Sequence, residues 1–267
     1  MGIEALYKIE EEDPQYHAVK RLVESLGSGP ALVSVILVAL ISYRLPVRGE
    51  DWWMCLAREL SGERVSGLES LLGAIKRFVE KCSRGLLVEQ RISRLNRAFR
   101  SLQFVLPRLY DNPRILPEII DEAWKALSRG LSQKASAKTI VFSLKMAYYA
   151  YRAAGYNYRL FNSLHIPMPI DSRVACLTFT SSICDASSYR ELVRYPENPQ
   201  RAWRVVSESS GISEIHLDAL AWRLGWIPRE AGSLEEARSM AERFLRSYSP
   251  LDVARRLSHE LISRPCS

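Results

Sequence analysis

Ser128-Arg129-Gly130-Leu131-Ser132-Gln133-Lys134-Ala135-Ser136-Ala137-Lys138-Thr139 is the stretch on which the fold turns. Before it, the apolar spacing of residues 115–128 predicts a helix, opened by Pro117-Glu118 and stopped by Gly130 after Leu127. After it, residues 138–154 carry a second helical period. A helix, a turn of small residues and a second helix headed by Lys-Thr make a helix-hairpin-helix spanning residues 117–154. The exposed amides of such a turn and the N-terminus of its second helix can hold a DNA phosphate, and Lys134 adds charge there. Gln133-Lys134-Ala135-Ser136 stands in place of a glycine-rich turn, and Ala135 and Ser136 accept a positive φ less readily than glycine does.

The same three- and four-residue apolar steps recur at 17–26, 31–45, 52–61, 67–82, 88–104, 172–183, 199–210, 214–224, 234–247 and 250–262. Ser233 with Glu236 fits a capping box, and Ser213 is placed to cap the helix that starts at Glu214. There is no alternating strand pattern and no fixed-period repeat. The fold class is all-α. Gly27-Ser28-Gly29-Pro30 reads as a tight connection, and Pro46 to Asp51 opens into the pair Trp52-Trp53. The longest irregular stretch, Gly155 to Ile170, is of a length often tied to function.

The 267 residues carry 37 basic and 30 acidic side chains, a net charge of +7. That surplus favours polyanionic partners. The most apolar run, Ala31 to Ile41, is far short of the ~20 residues that span a bilayer. The start, Met-Gly-Ile-Glu-Ala, lacks the pattern of a secretory leader, and Leu6 stands where a myristoylation motif wants Ser or Thr. A cytoplasmic protein with no membrane partner is expected. Cys55, Cys82, Cys176, Cys184 and Cys266 form no C-x-x-C pair, so no metal site is expected and reduced thiols are the simplest reading. A single disulfide would be invisible at this stage.

On the second hairpin helix, Ile140, Val141, Leu144, Ala147, Tyr148 and Tyr151 form a core stripe. Lys138, Phe142, Lys145 and Tyr149 fall on another face. Lys138 and Lys145 lie about 10 Å apart along the axis at ~1.5 Å per residue. The positive end of the helix dipole and a second ammonium bias an amine toward its neutral form, the form a Schiff-base nucleophile needs. The spacing alone describes two solvated lysines as well. Further on, Ile166-Pro167-Met168-Pro169-Ile170-Asp171-Ser172-Arg173-Val174 places Asp171 at the N-cap of the helix 172–183, with Pro169 stiffening the approach. A cap fixes a carboxylate in place and leaves it free to act.

A lysine on the second helix of a helix-hairpin-helix, followed by Pro-x-Asp at the head of a later helix, resembles the helix-hairpin-helix DNA glycosylase superfamily. Within it the chain resembles the archaeal 8-oxoguanine DNA glycosylase/AP lyase family (AGOG-type), whose hairpin is unusual. The matching stretches are Asp13-Pro14-Gln15-Tyr16, Ala39 to Leu45, Gly49 to Trp53, Lys138 to Phe142, Ile166 to Ala175, and His216-Leu217-Asp218. The resemblance implies a two-lobed helical unit, with lobes at 56–185 and at 1–55 plus 186–267 around a cleft. It implies a flipped nucleotide, Lys138 attacking the sugar C1′, a Schiff base, and β-elimination that breaks the strand. Asp171 would stabilise positive charge on the sugar and help proton transfer.

The same resemblance makes Gln15, Ser42, Trp53, Phe142, Lys145, Pro169, Asp218 and Trp222 substrate-binding positions. Phe142 and Trp222 would stack on the base, Asp218 would accept the N7–H that 8-oxoguanine has and guanine lacks, and Gln15 would read a base edge. Each also has a plainer reading, Gln15 as a helix-end side chain and Trp53 as core. Iron–sulfur relatives carry four closely spaced C-terminal cysteines; here only Cys266 lies beyond Cys184, so no cluster and no cofactor are expected. The expected partner is double-stranded DNA carrying 8-oxoguanine, with single strands left open, and the expected state is a monomer. A glycosylase for another damaged base, a silent helical DNA-binding module and a helical protein-interaction scaffold are the alternatives.

Overall fold

The structure, a computed structural model, describes residues 1–266, and every regular element among them is helical. The α-helices are α1 (Ile3–Glu11), α2 (Pro14–Leu26), α3 (Ser28–Leu40), α4 (Gly49–Leu60), α5 (Leu68–Cys82), α6 (Val88–Ser101), α7 (Leu106–Asp111) and α8 (Leu116–Gly130). They continue as α9 (Lys138–Ala153), α10 (Ser172–Thr180), α11 (Tyr189–Arg194), α12 (Glu197–Ser210), α13 (Glu214–Leu224), α14 (Ile227–Glu230), α15 (Leu234–Leu245) and α16 (Leu251–Leu261). None is long and apolar enough to cross a membrane.

The chain divides into two compact units, one of residues 14–162 and one of residues 1–13 with those from 163 onward. The expected lobes divide it elsewhere, and packing gives the reason. Helix α2 packs on α3, α4 and α9, so residues 14–55 fold with the hairpin. Helix α10 packs on α11 and α13, so residues 163–185 leave it.

In the first unit α3 is apolar all round, and Ala31 to Leu40 are all buried, the arrangement expected of a central helix. Its broad contact with α9 is the most extensive helix pairing in the chain. The periodicity predicts α3 as far as residue 45, yet it ends at Leu40. Arg91 is fully buried on α6 and donates to the carbonyls of Ile41 (3.2 Å), Tyr43 (2.8 Å), Arg44 (3.1 Å) and Leu86. Those carbonyls are turned toward the guanidinium instead of along a helix, and Arg44 takes φ 44°. Burial lowers the pKa of Arg91, while the carbonyls compensate its charge.

In the second unit Met168, Ile170, Val174 and Leu177 meet Leu217, Leu220, Ala221 and Leu224 of α13, with Leu6 and Ile9 of α1 added from the N-terminus. Two disulfides correct the expectation of reduced thiols. Cys55 on α4 is bonded to Cys82 on α5, and Cys176 on α10 to Cys266 in the C-terminal segment, with Cα separations of 6.5 and 5.6 Å. Cys184 is a free thiol.

Candidate active site

Helix α8 runs through Gly130, two residues beyond the expected end at Ser128. Gly130 is there for proximity rather than as a stop signal: a Cβ at this position would lie 1.7 Å from Ser101 Oγ, so α6 could not approach. The left-handed residue of the turn is Ser132, at φ 51°. The turn is tied down by side chains of α8. Ser128 Oγ donates to Gln133 O (2.6 Å), and Trp124 Nε1 donates to Ala135 O (2.7 Å). Lys134 is exposed on this turn.

Lys138 is the first residue of α9, with its side chain exposed. Phe142, one turn on, is half-buried and meets Trp53 edge to face, centroids 6.0 Å apart. The face expected to stand apart from the core does so only at its start. Lys145 is 2 % exposed and Tyr149 fully buried, because α2, α3 and α8 all pack on α9. Lys145 Nζ lies 5.2 Å from the centroid of Tyr149, whose ring meets Tyr16 at 5.4 Å. Gln15 is buried at the start of α2, and its Nε2 lies 3.8 Å from where a Cβ on Gly49 would stand. Ser42 is buried and donates to Val38 O at 2.8 Å. Thus Lys134, Lys138, Gln15, Ser42, Trp53, Phe142 and Lys145 all belong to the unit 14–162.

The other unit carries Pro169, Asp171, Asp218 and Trp222. Asp171 is the N-cap of α10, and its Oδ1 accepts from the backbone N–H of Arg173 (2.8 Å) and Val174 (2.9 Å). The segment before it is held as well: Pro169 is buried, and Gln200 Nε2 donates to Met168 O at 3.1 Å. Asp218, 2 % exposed, and Trp222, half-buried, stand one turn apart on α13. The Arg173 guanidinium covers one face of Trp222, 4.2 Å from its centroid. At Gly225, just past α13, a Cβ would stand 2.2 Å from Arg173 O, so the first turn of α10 is wedged against the end of α13.

Two other expected caps hold only in part. Ser233 accepts from Glu236 N as predicted, but Glu236 reaches back to Gly232 N. Ser213 occupies the N-cap of α13 while its hydroxyl donates to Leu164 O (2.8 Å) instead of accepting from the helix. Two features escaped the sequence reading altogether. One is the fully buried pair His216 Nδ1–Glu10 Oε1 (2.8 Å), whose partners lie 206 residues apart. The other is Arg94, whose only sequence signal is the three-residue spacing of Arg91, Arg94, Arg97 and Arg100 along α6. A cavity of about 850 Å³ between α5, α6 and α7 contains none of the expected site residues.

The AGOG family, described as N-glycosylase/DNA lyase, matches residues 1–257. This chain belongs to the AGOG family. It is by that membership a DNA N-glycosylase and DNA lyase of repair. The N-glycosylase/DNA lyase of Aeropyrum pernix is 41% identical over 260 residues, covering 96% of this chain and 89% of the relative. That of Pyrobaculum aerophilum is 34% identical over 227 residues, covering 84% and 82%. The chain also resembles the crystal structure of Pa-AGOG, an 8-oxoguanine DNA glycosylase from Pyrobaculum aerophilum complexed with 8-oxoguanosine. That match has a TM-score of 0.73 and 28% identity, covering 97% of this chain and 92% of that one. The AGOG fold is all-α, as the helical spacing along the chain predicts.

Proposed function

We propose that this AGOG-family protein removes 8-oxoguanine from DNA and nicks the abasic site, with Lys138 as nucleophile and Asp171 as its carboxylate partner. The observation that carries the substrate is the likeness over nearly the whole chain to an 8-oxoguanine glycosylase complexed with 8-oxoguanosine. The chemistry follows from what a lyase needs. β-Elimination is promoted by an imine at C1′, which acidifies the C2′ proton, and a primary amine that reaches the sugar can form one. Lys138 presents such an amine, exposed at the first residue after the hairpin.

In the reaction, the deprotonated Nζ of Lys138 attacks C1′ as the N-glycosidic bond breaks, and the base leaves with the bonding electron pair and takes up a proton. The sugar ring opens to a Schiff base. Loss of the C2′ proton then expels the 3′ phosphate, and water releases the lysine. Asp171, held by two backbone N–H groups, offers a fixed negative charge to the cationic sugar and an acceptor for the amine proton. Phe142 and Trp222 supply ring faces for the base, and Asp218 an acceptor for its N7–H. Gln15, Ser42, Trp53 and Pro169 shape the pocket, and Lys145 touches the base or influences Lys138. Lys134 holds a backbone phosphate, and the net charge of +7 favours DNA in either strand state. The enzyme acts as a monomer in the cytoplasm, alongside chromosomal DNA.

The test is a panel of otherwise identical duplexes carrying 8-oxoguanine, guanine, uracil or a preformed abasic site. Cleavage of the 8-oxoguanine and abasic duplexes, with guanine and uracil intact, is expected. Faster release of another damaged base would reassign the substrate and leave the lysine chemistry standing.

A further inference from the structure

We infer that Arg94 is a positioning residue for Lys138, an inference that rests on the assignment of Lys138 as nucleophile. Three elements of the unit 14–162 converge on its guanidinium. Nε donates to Leu40 O at 2.7 Å, at the end of α3. Nη2 donates to Gln133 Oε1 in the hairpin turn and to Thr139 Oγ1 on α9, each at 2.7 Å. Thr139 is the residue that follows Lys138. The guanidinium carbon also lies 5.8 Å from the centroid of Tyr43. Burial is the main cause that pushes the Arg94 pKa down, and its short charge-assisted bonds offset that cost.

This fork matters because α9 starts without a side-chain cap. Its N-cap is Ala137, whose carbonyl accepts from Ile140 and Val141 N–H but whose side chain has no oxygen for the amides before them. An uncapped first turn is where a helix frays, and Lys138 is its first residue. The exposed Lys138 side chain adds little packing of its own, so the backbone must fix where its amine starts. The Arg94–Thr139 bond supplies the missing anchor. The same guanidinium sets that turn against the hairpin and against the end of α3, two residues before Ser42. A planar three-way contact is within reach of arginine and not of lysine, whose ammonium is a single point on a flexible stem.

Displacing a reacting group by about 1 Å can cost on the order of a hundredfold in rate. In Arg94→Lys, which keeps the charge, and in Thr139→Val, which keeps the shape, the rate of borohydride-trapped adduct on 8-oxoguanine duplex should fall about tenfold to a hundredfold at saturating enzyme. DNA affinity, measured separately by anisotropy, should stay near wild type, because no phosphate-binding charge is lost. Thr139→Ser, which restores the hydroxyl, should restore the rate. The double variant should be no slower than the slower single one, since Arg94→Lys already removes the contact that Thr139→Val removes. A wild-type trapping rate in Arg94→Lys, or effects that multiply fully in the double variant, would overturn the positioning role. If Arg94→Lys does not fold, the Thr139 pair decides alone, and a wild-type rate in Thr139→Val overturns the role. Lys138→Gln separates the two readings: adduct persisting there removes the nucleophile assignment and this inference with it. A silent Lys138→Gln beside an unimpaired Arg94→Lys removes only the latter.

Discussion

Asp171→Asn separates a cap from a catalyst. The side chain accepts two backbone N–H bonds, at 2.8 and 2.9 Å, at the head of α10. Asparagine retains an oxygen for both and ranks with aspartate as an N-cap. What it loses is the favourable placing of a negative charge at a helix N-terminus, about 0.3–1 kcal/mol. For a chain of this size 1 kcal/mol moves Tm by about 2–4 °C, so Asp171→Asn should melt only about 1–4 °C below wild type. Asp171→Ala removes the acceptor as well and should cost about 0.5–2 kcal/mol. If the carboxylate also serves the reaction, the asparagine variant should lose about a hundredfold to ten-thousandfold in single-turnover excision of 8-oxoguanine despite its near-native stability. The assay pairs that excision rate with a thermal melt of the same preparation. Wild-type excision by Asp171→Asn would reduce Asp171 to a helix cap, as would a loss of activity that only tracks the loss of folded protein.

The disulfides predict a stability effect unconnected with chemistry. On chain-entropy grounds the bond from Cys176 to Cys266, closing 90 residues, should contribute about 4–5 kcal/mol, and Cys55–Cys82, closing 27, about 3–4 kcal/mol. A reductant, or serine at Cys176 or Cys55, should lower Tm accordingly; a melt indifferent to reductant would remove the disulfides from the account. Gly225→Ala places a Cβ 2.2 Å from Arg173 O and 2.5 Å from Arg173 C, so the first turn of α10 must move. The expected cost is about 1–3 kcal/mol, with excision falling more than DNA affinity. Unchanged excision would mean that the wedge does not set Asp171.

Much of the hairpin and of the Asp171 cap could be read directly, because both are local. A cap needs only an acceptor next to a helical period, and Asp171 has both. Long helices announce themselves by repetition, which is why α9 and α13 start where the spacing puts them. Helices α7, α11 and α14, of six, six and four residues, complete too few turns to show a period. The misread features are those decided by a distant partner. Gly130 looks like a stop until Ser101 is set against it, and α3 looks longer because the carbonyls beyond Leu40 go to Arg91. Arg94 looks like one more solvated arginine on α6, and Cys176 like a thiol, since their partners are 39 to 90 residues away. By its spacing alone Lys138 reads as a solvated surface lysine; the nucleophile reading rests on the resemblance.

The most direct test of the account is the covalent bond it requires. Wild-type protein is mixed with a duplex carrying one 8-oxoguanine, reduced with borohydride and digested, and the peptide carrying the sugar remnant is sequenced by mass spectrometry. The account predicts a single modified peptide with the added mass on Lys138, and none from Lys138→Gln. An adduct on any other residue, or efficient strand cleavage with no adduct at all, would contradict it.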